Sequence, residues 1–209
     1  MARAERFELH MSDEDALMWN IEKDPVLRST IVAVGVFDSV PDWARLRRRV
    51  DRGTRLIPRL RQRVQSPPLR LGPPRWSVEP AFDLDYHLRR VRLPGPGTWR
   101  ELLDALQPIA ATGFDRARPL WEFTLFEGLD GDRAAIALKV HHSVTDGVGG
   151  MALLTHLVDL TADAPEPDAA NLPPVEPGEH LGALDLVRES AGHARRRAVG
   201  RSEEHTTEL

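Results

Sequence analysis

The sequence contains no cysteine among its 209 residues. Disulfide bonds and cysteine-ligated zinc sites both require thiols, so the sequence excludes both as a basis for the fold. It also excludes a cysteine nucleophile, so acyl transfer through a thioester to the enzyme is unavailable. Covalent catalysis would need another residue type.

Long apolar runs are absent as well. The longest run, Ile31 to Phe37, has the length of a strand, whereas a helix that crosses a bilayer needs roughly 20 apolar residues. We therefore expect any membrane contact to be peripheral. The N-terminus lacks the basic-then-apolar order of a secretory signal, which predicts a cytoplasmic chain.

Acidic residues are in small excess, and the formal net charge is -4. A nucleic-acid-binding domain usually carries a strongly basic face, so we expect no nucleic-acid partner. Locally the charge is uneven: the segment between Arg45 and Arg63 holds nine arginines and one acid, Asp51. A solvated helix face explains these arginines more simply than contact with anionic lipid headgroups or the phosphates of a ligand. We assign no site to them.

Helix and strand signals alternate along the chain, which predicts an α/β fold. Two strand-like segments from Pro119 onward are joined by the hairpin signal Asp130-Gly131-Asp132. Before them the sequence predicts a helix after the Ser12 cap, a central strand buried on both faces at Ser29 to Phe37, and a basic amphipathic helix from Pro41. A proline-rich loop from Gln65 to Trp76 and an extended segment from Phe82 to Leu93 follow. The capping pair Thr98 and Glu101 then predicts another helix.

The C-terminal part of the chain has a different composition. Residues 164–180 combine low hydrophobicity with many prolines, which predicts a linker after a domain that covers residues 1–163. Residues 181–200 return to helical spacing and are interpreted as a connecting amphipathic helix. Residues 201–209 continue no earlier pattern and are interpreted as a foreign tail.

Two adjacent histidines end the second strand of the predicted hairpin. Because side chains alternate along a strand, His142 shares the apolar face with Val140, while His141 shares the opposite face with Lys139. A partly desolvated imidazole at a strand end can serve as a general base, which makes His142 the catalytic candidate. His141 is expected to pack or hydrogen-bond and to line the site.

The turn after the histidines contains Asp146 and Gly147, and we expect Asp146 mainly to hold the turn through local hydrogen bonds. Pairing with an arginine and orienting an imidazole are its alternatives. A metal site formed by His141, His142 and Asp146 would require a helix there, which the neighbouring glycines disfavour. For His142 the simpler alternative is an ordinary histidine that ends a strand.

The run His141 to Gly147 has the pattern His-His-x-x-x-Asp-Gly, which resembles the signature of the CoA-dependent acyltransferase superfamily. Pro119-Leu120-Trp121 resembles the PLW motif of the wax ester synthase/diacylglycerol acyltransferase family, and two longer segments, MSDEDALMWNIE and GFDRARPLWEFTLFEGL, are similar to its actinobacterial members. A tryptophan on a strand is usually a core residue, so we expect the PLW motif to be architectural.

This resemblance implies the first half of a two-domain, chloramphenicol-acetyltransferase-like fold with a mixed sheet flanked by helices. It also implies that His142 deprotonates diacylglycerol or a fatty alcohol, whose oxygen then attacks the thioester of acyl-CoA, with no cofactor or metal. Peripheral contact with the inner membrane surface or with a lipid droplet is a further implication. Residues that bind CoA are not assigned. The family's second half, with an asparagine-aspartate motif, is absent from the sequence, so the chain is expected to be truncated and inactive alone.

Two other functions stay open. In a condensation-type acyltransferase the same histidine would act on substrates bound to a carrier protein, although the PLW segment argues against this. In the second alternative, the chain is a non-catalytic module that binds lipid or a protein partner through its basic helix.

Overall fold

A computed structural model describes most of the chain. The described residues are 9–145, 153–159, 161, 163–165, 172–193 and 195. Asp146, Gly147 and the C-terminal tail therefore lie outside the described residues, and the predictions made for them stay predictions.

The main sheet has four strands: β1 (Thr30–Phe37), β4 (Leu88–Arg92), β5 (Trp121–Leu129) and β6 (Arg133–His141). Their spatial order is β1-β6-β5-β4. Neighbouring strands are antiparallel, except that β4 and β5 run parallel. The predicted mixed sheet is thereby confirmed.

A second, two-stranded sheet pairs β2 (Gln62–Gln65) with β3 (Arg75–Val78). The prolines of the predicted loop connect these strands, but the first and last residues of that loop are strand residues. The prediction of a loop from Gln65 to Trp76 was therefore wrong at both ends. Its edges lack proline, so their backbone N–H groups remain free to pair.

Helices cover both faces of the main sheet. On one face, Leu46 and Val50 of α2 (Trp43–Leu56) pack with Trp121 and with the apolar residues of 153–158. On the other, Leu102 and Leu106 of α4 (Trp99–Ala111) pack against Phe126, Ala135 and Ala137. Burying one stripe of each helix on one face of the sheet produces the layered α/β core.

Two predicted helix starts are confirmed. Ser12 Oγ accepts a hydrogen bond from the Asp15 N–H at the start of α1 (Asp13–Ile21). Thr98 and Glu101 form both hydrogen bonds of a capping box at the start of α4. These caps satisfy N–H groups that the first helical turn leaves without partners.

The prediction that β1 is a central strand buried on both faces was wrong. Within the described residues β1 is an edge strand, and Val34 and Val36 are 43% and 41% exposed. A β-branched run indicates strand formation, but the neighbours that cover the strand decide its burial. The extended segment from Phe82 is also interrupted, because Leu84–His87 forms one helical turn, α3, capped by the Asp83 side chain.

Most of the arginines between Arg45 and Arg63 have partners within the protein. Arg45 and Arg49 both contact Asp159, Arg55 and Arg61 contact Asp51, Arg47 contacts Asp85, and Arg63 contacts Glu79. These ion pairs are consistent with a solvated, internally neutralised helix face and leave fewer cations for lipid or phosphate.

The C-terminal helical segment, residues 183–193, packs on the small sheet, with Leu186 and Ser190 buried. Arg75 of β3 contacts Glu179 and Glu189, at 2.9 Å each, and the Glu179 N–H donates to Val78 O. The boundary predicted at residue 163 stays a prediction. No helix in the described part of the chain has the length and apolarity to cross a bilayer.

Candidate active site

His142 is the first residue after β6. Its backbone N–H donates to Ser29 O at 2.8 Å, which ties the histidine to the start of β1. The side chain is half-buried and has no hydrogen bond or ion pair to another described residue. An imidazole that is partly accessible to solvent and is not engaged by the described residues has the surroundings that a general base requires.

The surroundings of the His141 side chain differ from those of His142. It is fully buried, and its Nδ1 lies 2.7 Å from Ser143 Oγ and 3.0 Å from Ser143 N. Its Nε2 lies 2.8 Å from Glu22 Oε2, and the rings of Trp19 and Phe114 meet it edge-on. A side chain enclosed in this way has no surface for direct contact with a substrate.

The residues of the PLW motif support this strand end from the inside. Leu120 and Trp121 are fully buried, in two different apolar clusters. The carbonyl of Leu120 accepts the His141 N–H at 3.0 Å, and the Pro119 carbonyl accepts the Trp121 N–H. Trp121 Nε1–H donates to Leu60 O at 2.7 Å. The two motifs found in the sequence are therefore in direct contact.

Buried charge lies beside His141 on the same face of the hairpin. Lys139 is 1% exposed and stands opposite Glu122 in the strand pairing, with Nζ 3.8 Å from Glu122 Oε1 and 4.4 Å from the Phe114 ring centroid. Burial lowers the pKa of Lys139, and the carboxylate of Glu122 partly opposes that shift. The pair makes this face polar although it is enclosed.

A second buried histidine, His87, lies on the opposite, apolar face. Its Nδ1–H donates to Trp121 O at 2.7 Å, and its ring stacks between Phe82 and Trp121. Burial lowers the pKa of His87 to about 4, so the ring is neutral at pH 7. Its Nε2 has no hydrogen-bond partner among the described residues.

A cavity of about 410 Å³ opens at the far end of the sheet, lined by Phe37, Asp42, Arg45 and Asp159 among others. Phe37 stands opposite Ala134 at the start of β6, whereas Thr30 stands opposite His141 at its end. The cavity is therefore most of a strand length away from His142.

Sequence reasoning found the two histidines but missed Glu22, Ser143 and Arg116. Arg116 donates to Trp19 O at 2.9 Å, lies over the Trp19 ring, and approaches Glu22 Oε1 at 3.5 Å. Glu22 and Arg116 reach this strand end only through tertiary contacts, so no local motif could have indicated them, whereas Ser143 lies within the His141–Gly147 run and contacts His141 locally. Among the described residues no cluster of His, Cys, Asp and Glu could hold a metal ion, and the absence of a metal or other cofactor stays a prediction.

Comparison with known proteins gives consistent matches in sequence. Residues 11–205 match the model of the wax ester synthase/diacylglycerol acyltransferase catalytic domain. A Mycobacterium tuberculosis protein with the provisional name diacylglycerol O-acyltransferase is 43% identical over 194 residues, which are 91% of this chain and 39% of the relative. Another from that organism, named in the same way, is 36% identical over 168 residues, 78% of this chain and 35% of the relative. The chain thus spans about two fifths of the length of the first relative.

Solved structures agree with these matches. The wax ester synthase/diacylglycerol acyltransferase from Marinobacter aquaeolei VT8 is 30% identical, with a TM-score of 0.60 over 79% of this chain and 41% of that chain. The first condensation domain of the calcium-dependent antibiotic synthetase is 20% identical, with a TM-score of 0.62 over 95% of this chain and 46% of that chain. The second likeness concerns the fold alone.

Proposed function

The chain belongs to the wax ester synthase/diacylglycerol acyltransferase family, and from that premise we propose that the protein transfers a fatty acyl group from acyl-CoA to diacylglycerol or a long-chain alcohol. The products are triacylglycerol or a wax ester. The family match over residues 11–205 carries this proposal. The pattern of His141 to Gly147 at the end of a strand supports it.

In the proposed reaction the imidazole of His142 takes the proton of the acceptor hydroxyl. The oxygen attacks the thioester carbonyl, a C–O bond forms, and the C–S bond breaks. The proton then passes from the imidazolium to the departing CoA thiolate. No acyl-enzyme forms, in keeping with the absence of cysteine, and general-base catalysis of this kind contributes on the order of 10²–10⁴-fold.

The proposal includes a second half of the enzyme, which would form the other wall of the acyl channel. The chain spans about two fifths of the length of its first relative, and the described cavity lies far from His142. We further propose that the protein is cytoplasmic and meets its apolar acceptors at a lipid surface by peripheral contact.

The test is a product assay on the full-length protein. Labelled acyl-CoA is supplied with diacylglycerol or with a long-chain alcohol, and the lipid products are separated and quantified. A parallel reaction supplies the same acyl group on a carrier protein. We expect triacylglycerol or wax ester from the CoA thioester.

Turnover with the carrier-bound donor alone would favour a condensation-type enzyme. Lipid binding without turnover of either donor would contradict the proposal and favour a binding module. As a control for unspecific effects, His180→Ala changes an exposed histidine outside the candidate site and should leave turnover unchanged.

A further inference from the structure

Glu22 connects the end of the first helix to the strand end that carries His142. It is the residue that follows α1, and its side chain is only 8% exposed. One carboxylate oxygen lies 2.8 Å from His141 Nε2, and the other lies 3.5 Å from Arg116 Nη1. A buried carboxylate beside a histidine needs such partners to offset its loss of hydration.

The hydrogen bonds of Ser143 fix which nitrogen of His141 carries the proton. The Ser143 backbone N–H can only donate, and it points at Nδ1 at 3.0 Å. Nδ1 must therefore present its lone pair, which also accepts the Ser143 hydroxyl at 2.7 Å. The proton of the neutral ring is then on Nε2, beside the Glu22 carboxylate. The contact is close but poorly aligned for a hydrogen bond, so its attraction is mainly electrostatic.

The backbone around His141 transmits this arrangement to His142. The His141 N–H donates to Leu120 O at 3.0 Å, and its carbonyl accepts the Val144 N–H at 2.9 Å. The next N–H, that of His142, donates to Ser29 O at 2.8 Å. With the ring held at both nitrogens and the backbone held on both sides, the start of the turn is restrained.

We propose that Glu22 is a positioning residue of the acyltransfer site, which acts by holding His141 in its Nε2–H tautomer and thereby fixing the turn that presents His142. The inference rests on the proposed function. Ser143 shares the role from the Nδ1 side. Glu22 does not touch the proposed base, but a displaced turn would misplace His142, and misplacement of a base lowers the rate because proximity to the reacting group is lost.

The test compares Glu22→Ala with Glu22→Gln in the full-length protein. The alanine variant leaves the Nε2–H without a partner, and we expect kcat to fall by about 10–100-fold because the proposed base is misplaced, with KM for acyl-CoA nearly unchanged. The glutamine variant keeps an oxygen beside Nε2–H but loses the charge, so kcat should fall less than in the alanine variant. Glu14→Ala, a charge removal on the exposed face of the same helix, is the matched control.

Equal losses of kcat in the alanine and glutamine variants, in proportion to lost stability, would overturn the positioning role and leave Glu22 merely structural. An unchanged kcat in Glu22→Ala would overturn it too. Thermal unfolding of each variant separates these results from misfolding.

A second measurement is independent of turnover. Nitrogen-15 NMR of histidine-labelled protein reports the tautomer of each ring, and we expect His141 to carry its proton on Nε2. Glu22→Ala, but not Glu14→Ala, should shift the backbone amide signal of His142. Absence of that shift contradicts the positioning role, even if the wild-type protein proves inactive on acyl-CoA and the proposed function fails.

Discussion

A fully buried histidine ring lies at each face of the β5–β6 hairpin, and the two rings differ in the polarity of their surroundings. His87 stacks between Phe82 and Trp121 in the apolar cluster, and one of its nitrogens has no partner among the described residues. His141, on the other face, has polar groups at both nitrogens.

The difference shows that burial alone does not define the state of a histidine. On the apolar face, desolvation dominates and lowers the pKa of His87 to about 4. On the polar face, Glu22, Ser143 and the Lys139–Glu122 pair place charge and hydrogen-bonding groups beneath the turn that holds His142. We interpret the apolar packing around His87 as a source of stability and the polar groups around His141 as the source of alignment.

The largest expected effect is on the apolar face. Trp121→Ala removes a fully buried ring, its stacking with His87 and its hydrogen bond to Leu60 O. We expect the free energy of unfolding to fall by about 3–5 kcal/mol, measured by denaturant titration. A loss below about 1 kcal/mol would mean that Trp121 is not part of the core.

The next effect is the acid sensitivity of His87. Its folded-state pKa of about 4 lies below its ordinary value of 6.5. Between pH 6.5 and 4 the ring is therefore protonated in the unfolded chain but neutral in the folded chain. Stability is therefore full above about pH 6.5 and is lost as the pH falls toward 4. The loss amounts to at most about 3 kcal/mol.

His87→Asn keeps a donor near Nδ1 but removes this titration. The slope of unfolding free energy against pH between 6.5 and 4 should be shallower in the variant than in the wild type. Carboxylates elsewhere contribute equally to both proteins, so the difference in slope isolates His87. Parallel slopes would show that the ring is accessible to protons in the folded state.

A smaller effect is expected from the buried ion pair on the polar face. Lys139→Met keeps the volume of the side chain and removes an amine that has no aligned hydrogen bond. Glu122 keeps a second partner, because Arg89 lies 3.5 Å from its carboxylate. We expect a loss of about 1 kcal/mol in unfolding free energy. Combination with Glu122→Gln should cost less than the sum of the single changes, because the two groups interact directly. Strict additivity would contradict the pairing.

Local rules predicted the elements that depend on neighbouring residues. The caps at Ser12 and Thr98 and the hairpin turn at Asp130-Gly131-Asp132 are decided within a few positions, and Gly131 and Asp132 adopt the positive φ angles of 71° and 57° expected for such a turn. The alternation that separates Lys139 and His141 from Val140 follows from strand geometry in the same way.

What sequence reasoning missed depends on contacts between distant segments. The exposure of Val34 and Val36 follows from the position of β1 at the sheet edge. His141 is paired with Glu22, which lies near the start of the chain. Arg75 is paired with Glu189, which lies near its end. Periodicity cannot indicate such pairs, because it describes which face a residue occupies and not what covers that face.

The division of roles between the two adjacent histidines can be tested most directly by comparing His142→Ala with His141→Ala in the full-length protein, measuring kcat and unfolding free energy for both. We predict that His142→Ala lowers kcat by about 10²–10⁴-fold and changes stability by less than about 1 kcal/mol, whereas His141→Ala, which empties a buried site beside Glu22, lowers stability by more than that. Retention of kcat within tenfold in His142→Ala would contradict the account.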